Sequence, residues 1–226
     1  MREKTGVFII ISLLFLIGTT TALIPDVSTV SISNSWVVAN GTDHTTITVM
    51  ALNESAAPGP QTAPVQNALV TFTVDNPLYG SVSPLTNTTN SIGEAKSTFK
   101  ANTTSGVANI TIMITADGHA VFRNVSVNVD HDTPYYSYFS YPLSGTVGTE
   151  VPFNISVTDY RGNRIDDRKE VALSLPLHTV SLHVHGPTPD DCNFVGSDHD
   201  ISRALDPSGN LSVKVKLTSK IGPNNI

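Results

Sequence analysis

Four histidines and one cysteine lie within 22 residues of the C-terminal half: His178, His183, His185, Cys192 and His199. Acidic residues accompany them at Asp190, Asp191, Asp198 and Asp200. On a strand His183 and His185 would face the same side, and imidazole, thiolate and carboxylate together suit Zn²⁺. The spacing matches no compact zinc motif, so three interpretations stay open: a solvated loop insertion, a metal site using His183, His185, Cys192 and His199, or an intermolecular disulfide through Cys192.

Catalytic motifs are absent from the sequence. It contains no Gly-x-Ser-x-Gly, no His-Glu-x-x-His, no phosphate-binding glycine loop and no dinucleotide fingerprint. The neighbouring carboxylates Asp166 and Asp167 would point to opposite faces of a strand, and we interpret them as part of a charged turn from Arg161 to Glu170. We therefore expect no enzyme activity, no catalytic residues and no cofactor.

Eight Asn-x-Ser/Thr sequons are candidates for N-glycosylation: Asn40, Asn53, Asn87, Asn102, Asn109, Asn124, Asn154 and Asn210. The strand pattern places Asn109, Asn124, Asn154 and Asn210 on polar faces, where a glycan would not enter the core. The other four are expected in loops. Either exposed β surfaces are simply rich in these residue types, or several sequons are used, which fits an archaeal cell surface better than a typical bacterial one.

The N-terminus has the layout of a secretory signal peptide over residues 1–22. Arg2 and Lys4 precede an apolar run at 7–17, and small residues follow at 20–22. The run is too short for an ordinary membrane span, so none is expected beyond the signal peptide. The single cysteine excludes an intrachain disulfide. The net charge of −6, without a basic cluster, argues against nucleic acid as a partner.

Alternating apolar residues predict an all-β fold. Each of the following sets has polar neighbours between its members: Ile47 and Val49; Val70, Phe72 and Val74; Ile110, Ile112 and Ile114; Val125, Val127 and Val129; Val151, Phe153, Ile155 and Val157; Val171, Leu173 and Leu175; Leu211, Val213, Val215 and Leu217. Turn residues separate the runs at the spacing of a β-sandwich. We predict tandem immunoglobulin-like sandwiches, with domains at 27–130 and 131–226.

An aromatic cluster follows the predicted domain boundary, at Tyr135, Tyr136, Tyr138, Phe139 and Tyr141. These rings would pack between the domains, begin the next sheet, or form a platform for sugars.

Glycine spacing indicates that the second half repeats the first. Gly93 and Gly106 are 13 residues apart, as are Gly209 and Gly222, and an Asn-Ile pair follows each set. After Ile110 the first unit continues to about Val129, whereas the sequence stops at Ile226, so the second unit would lack its last strand or two. We therefore expect the second domain to be truncated and the chain to be a fragment of a longer repeat protein.

Several short motifs occur in order in the first half: ANGT at 39–42, TTITV at 45–49, APVQNA at 63–68, VTF at 70–72, GSVSP at 80–84, TNSIGEA at 89–95 and TSGVANIT at 104–111. In this order they resemble the bacterial immunoglobulin-like group 1 (Big-1) domain of invasin and intimin-type surface adhesins. The resemblance covers about residues 28–130 and is weaker over 135–226. It implies an extracellular β-sandwich used in tandem as a rod, without catalytic residues.

These observations favour a secreted, non-catalytic structural or adhesive module that acts as a rigid spacer or envelope component. Its expected partners are cell-envelope components, neighbouring copies or surface glycans. The alternative is a carbohydrate- or metal-binding module that uses the His-rich loop 178–200.

Overall fold

The computed structural model describes residues 24–55, 61–141, 146, 148–183, 192–195 and 200–217. The described chain is almost entirely β-structure, which confirms the predicted all-β, immunoglobulin-like sandwich class. We call residues 24–130 the first unit and residues 132–217 the second unit.

The first unit is a sandwich of two sheets. One sheet contains β1 (Thr29–Ile32), β3 (His44–Met50), β9 (Glu94–Ala101) and β7 (Gly80–Ser83) in that order. The other contains β2 (Trp36–Val38), β11 (His119–Asp130), β10 (Gly106–Ala116), β6 (Leu69–Val74) and β8 (Thr86–Thr88). A hairpin of β4 (Leu52–Ser55) and β5 (Gln61–Pro64) lies outside both sheets.

The core of this sandwich follows the predicted alternation. Ile47 and Val49 on one sheet, and Phe72 and Ile112 on the other, are buried, whereas the residues between them face outward or lie partly exposed. Because strand side chains alternate between faces, each strand contributes every second residue to one apolar layer. The neighbouring pairs are antiparallel except for β2 and β11, which run parallel.

The second unit repeats the sheet order of the first. β12 (Tyr136–Ser140), β13 (Glu150–Thr158), β17 (Asn210–Leu217) and β15 (Cys192–Phe194) form one sheet in that order. They occupy the places that β1, β3, β9 and β7 hold in the first unit. β14 (Thr179–His183) pairs with β16 (Asp200–Ala204), as β6 pairs with β8. The division into domains at 130 and 131 stays a prediction, because a sheet assignment does not show that either part folds alone.

One strand prediction in the second unit is wrong. Instead of a strand through Val171, Leu173 and Leu175, the chain forms helix α1 (Arg168–Leu173). All three apolar side chains are exposed, and the buried residue of the helix is Glu170. The carboxylates of Asp166 and Asp167 accept hydrogen bonds that hold this segment in place. The spacing of its apolar residues therefore did not show which side of the helix faces inward.

Candidate functional site at the junction between the units

A tight turn between β13 and α1 forms the second unit's side of the junction. The fully buried Asp159 carboxylate holds it: Oδ1 accepts hydrogen bonds from the backbone N–H groups of Arg161 and Asn163, at 2.9 and 2.8 Å. Oδ2 accepts from the Asn163 side chain at 2.8 Å and from the backbone N–H of Asp132 at 3.1 Å. The turn is thereby tied to the segment that links the two units.

Burial raises the pKa of Asp159, but hydrogen bonds from the Asn163 side chain and from the backbone of Asp132, Asn163 and Arg161 outweigh it. They hold the pKa of this carboxyl below its ordinary value of 3.8. The folded junction therefore favours the ionised carboxylate.

Two side chains of this turn contact loops of the first unit. Asn163 Oδ1 accepts a hydrogen bond from the Ser105 backbone N–H, and its Nδ2 donates to the Thr103 carbonyl, both at 2.9 Å. Arg161 Nη2 donates to the Asn40 carbonyl at 2.8 Å. Because the first unit's partners in all three bonds are backbone atoms, the bonds fix the position of the second unit's turn relative to the main chain of the first.

A second network surrounds the linker residue His131, which is 7% exposed. Its Nδ1 lies 2.7 Å from the carbonyl oxygen of Asp132, and its Nε2 lies 2.9 Å from that of Asp166. The His178 ring stands edge-on to it, with 5.1 Å between the ring centroids. His178 directly precedes β14. The linker and the second unit therefore each supply one of the two imidazoles.

The carboxylates of Asp130, Asp167 and Glu170 lie beside these two rings, and Asp166 joins them through its backbone carbonyl. We call them, with His131 and His178, the acid–histidine cluster. Arg168 Nε pairs with Asp166 at 2.9 Å, and Lys169 Nζ lies 3.4 Å from Asp130 Oδ2. Asp167 Oδ1 accepts from His178, both from its backbone N–H and from ring Nδ1, each at 2.9 Å.

Three buried carboxylate oxygens of the cluster have no hydrogen-bond partner among the described residues: Asp130 Oδ1, Asp167 Oδ2 and Glu170 Oε2. Ligand atoms of His131, Glu170 and His178 all lie within 4.8 Å of one another. A buried carboxylate oxygen without a partner is costly, so the cluster is the part of the described chain best suited to hold a cation.

The metal ligands predicted from sequence lie elsewhere. His183 ends β14 opposite Asp200, and Cys192 begins β15 opposite Leu217. The side chains of His183 and Cys192, and the whole of His185 and His199, lie outside the described residues. The prediction of a loop over 178–200 is wrong at Thr179–His183 and Cys192–Phe194, which are strands. The metal and disulfide interpretations of that set stay predictions.

Sequence reasoning missed the residues that form the junction. His131 and Glu170 are far apart in sequence and match no ligand motif. One signal was present: the turn at Asp159 has the pattern Asx-x-x-Gly, which recurs at Asn90 and Asp206. In all three turns the Asx side chain accepts backbone hydrogen bonds from residues two and four positions later, so the pattern marks a tight, self-capped turn.

Four sequon asparagines are exposed: Asn102, Asn109, Asn124 and Asn154. Asn40, Asn53, Asn87 and Asn210 are partly buried. Two expected loop positions are instead strand positions, because Asn53 lies on β4 and Asn87 on β8. Glycosylation itself stays a prediction.

The aromatic cluster begins the second unit's sheet. It supplies β12, which pairs with β13, and all five rings are about half exposed or more. The Tyr141 ring stacks on Phe153 with 4.9 Å between centroids, and Tyr135 meets Tyr136 edge-on at 4.6 Å. Of the three interpretations, the described contacts favour the start of the next sheet.

Among the described residues, no helix is long and apolar enough to span a membrane.

No protein-family model matches the chain, and no curated protein matches it in sequence. Among solved structures, it is similar to Yersinia pseudotuberculosis InvD, with a TM-score of 0.55, 18% identity, and coverage of 84% of this chain and 49% of InvD. It also matches the Yersinia pseudotuberculosis adhesin InvE, with a TM-score of 0.39, 17% identity, and coverage of 84% and 51%. Domains 4–9 of the surface layer protein SbsC match with a TM-score of 0.30, 16% identity, and coverage of 85% and 27%.

The chain thus spans about half the length of the InvD and InvE structures it matches. At these identities the match to InvD concerns the fold alone. The chain therefore shares its β-sandwich fold with InvD.

Proposed function

We propose that the chain is a non-catalytic structural or adhesive module of an extracellular surface protein, built from Big-1-type immunoglobulin-like units in tandem. The first unit carries the Big-1 motifs in order, and the second repeats its sheet order. The N-terminal signal pattern and the exposed sequons support export and an outward-facing surface. The partners would be envelope components, neighbouring copies or surface glycans.

The observation that carries the proposal is the bonded junction. Arg161 and Asn163 attach the second unit's turn to backbone atoms of two loops of the first unit. Units joined by a free linker would hinge, whereas directional hydrogen bonds hold one angle. A surface spacer needs this property, because it must keep whatever lies beyond it at a fixed distance and direction.

Small-angle scattering of the secreted chain tests the spacer role. We expect the wild-type profile to fit one arrangement of the two units, and Asn163→Ala to broaden the distance distribution. Asn76→Ala is the matched control, because the Asn76 side chain accepts a hydrogen bond from the nearby Leu78 N–H within the first unit. A wild-type profile that requires a wide range of inter-unit angles would contradict the rigid spacer.

Location is tested separately on intact source cells. We expect external protease to digest the chain and antibody to label the cell surface. A chain that is protected until the cells are lysed would contradict the proposed location, whatever the scattering shows.

A further inference from the structure

We propose that the acid–histidine cluster is a site for a divalent transition-metal ion, with Zn²⁺ as the best fit, and that His131, Glu170 and His178 are its protein ligands. This inference goes beyond the spacer role, because it assigns an ion to the junction. It also differs from the ligand set predicted from sequence, which comprises His183, His185, Cys192 and His199.

The charges of the cluster call for a cation. Asp166 is paired with Arg168 and Asp130 with Lys169, which leaves Asp167 and Glu170 without a lysine or arginine among the described residues. Asp167 is 2% exposed and Glu170 is 8% exposed. One divalent ion bound beside these two buried carboxylates would balance their charge.

The two imidazoles lie close enough to bind one ion together. The centroids of His131 and His178 are 5.1 Å apart, and ligand atoms of both rings and of Glu170 lie within 4.8 Å of one another. The free Oε2 of Glu170 would gain a partner from the same ion.

The surrounding groups orient the histidines as ligands. His178 Nδ1 donates to Asp167 Oδ1 at 2.9 Å, which leaves the Nε2 lone pair for the ion. A carboxylate that holds a metal-binding histidine in this way is a recurring arrangement in zinc sites. His131 Nδ1 donates to the Asp132 carbonyl at 2.7 Å, and Nε2 would exchange its contact with the Asp166 carbonyl for the ion.

The distances require a modest closure. Zn–ligand bonds of about 2.0–2.1 Å place tetrahedral ligands about 3.3 Å apart. One ligand atom from each of the three residues lies within 4.8 Å of the others, so the distances between them must shorten by up to about 1.5 Å. Two histidines and one glutamate are a known ligand set for Zn²⁺ with a fourth position left to water.

Metal analysis of the purified secreted chain is the first test. We expect one Zn²⁺ per chain after dialysis against metal-free buffer, and a lower unfolding midpoint once a strong chelator has removed it. Glu170→Gln keeps the size and removes the charge, and we expect it to abolish stoichiometric binding. Asp167→Asn should weaken the affinity about 10–100-fold, because it removes only the group that orients His178.

Two controls separate this site from the His-rich loop. The double variant His185→Ala/His199→Ala should bind as the wild type does, and so should His119→Ala, which changes an exposed histidine of the first unit. Binding that is lost in the double variant but kept in Glu170→Gln would overturn the proposal.

Cobalt substitution of the wild-type chain needs no variant, so it stays informative if a substitution prevents folding. We expect the visible bands of tetrahedral Co²⁺ with nitrogen and oxygen ligands. A thiolate-to-cobalt charge-transfer band would place the ion at Cys192 and overturn the assignment, as would a chain that binds no metal. Small-angle scattering of the same samples measures the rigidity of the junction independently of metal content. A flexible junction would contradict the spacer alone, and a metal-free chain would contradict the metal site alone.

Discussion

Replacing Gly93 with alanine should destabilise the first unit much more than replacing Gly118, although both glycines have nearly the same backbone. Their φ angles are +77° and +76°, so an L-residue pays the same conformational penalty at each, about 1 kcal/mol. A Cβ at Gly118 would meet no heavy atom within 4 Å. A Cβ at Gly93 would lie 2.5 Å from the Ala51 carbonyl oxygen and 3.2 Å from Pro64 Cβ.

The crowding at Gly93 falls on backbone that cannot move freely. The Ala51 carbonyl accepts from the Val65 N–H, and the Ala51 N–H donates to the Gly93 carbonyl, both at 2.8 Å. Overpacking of this kind costs about 1–3 kcal/mol, so Gly93→Ala should lose about 2–4 kcal/mol and Gly118→Ala about 1 kcal/mol. For a unit of this size each kcal/mol lowers the midpoint by about 4–8 °C.

Thermal unfolding followed by tryptophan fluorescence measures the difference. Trp36 is the only tryptophan, and it lies on β2 beside β11, so its emission reports the first unit. Equal losses in the two variants would refute the reasoning, because they would mean that the turn conformation alone sets the cost and that the close approach to Ala51 does not exist.

Three further outcomes are expected. Hydrogen bonds hold the pKa of Asp159 low despite its burial. Its contribution to stability is therefore complete above about pH 4 and is lost as the pH falls through its pKa in the folded protein. Acid unfolding of Asp159→Asn should accordingly be less steep than that of the wild type. Phe99→Ala should cost about 3–5 kcal/mol in chemical denaturation, whereas Phe122→Ala, at a side chain 59% exposed, should cost under about 0.5 kcal/mol. Intact mass of the native protein should fall by one glycan in Asn154→Gln, and a native mass equal to the bare polypeptide would contradict the use of any sequon.

The fold was predictable where apolar burial decides the structure. Ile47, Val49, Phe72 and Ile112 alternate with polar residues because each strand hides one face, and the structure buries all four. The same spacing misled at α1 because Glu170, rather than its apolar neighbours, faces inward there. A periodicity argument assumes that the core is apolar, so it fails where a polar cluster takes the place of the core.

The acid–histidine cluster was not predictable for a related reason. His131 directly follows the first unit's last strand, Glu170 lies on α1 and His178 precedes β14, so only the crossing of the chain at the junction brings them together. Single ligands separated by long and variable segments leave no pattern in one sequence. His178 was noticed for its neighbours in the His-rich loop, whereas its described contacts are with Asp167 and His131.

In the proposed spacer, interactions within the units and interactions between them have different roles. Within each unit, apolar layers give stability without fixing anything outside the unit. Between the units, buried polar atoms give direction, because a hydrogen bond or a metal–ligand bond holds only one arrangement of its partners. Acid or a chelator should therefore first change the angle between the two units, through the turn at Asn163 and the acid–histidine cluster. Both sandwiches should stay folded under these conditions. The stiffness of the module would then respond to its surroundings while its fold does not.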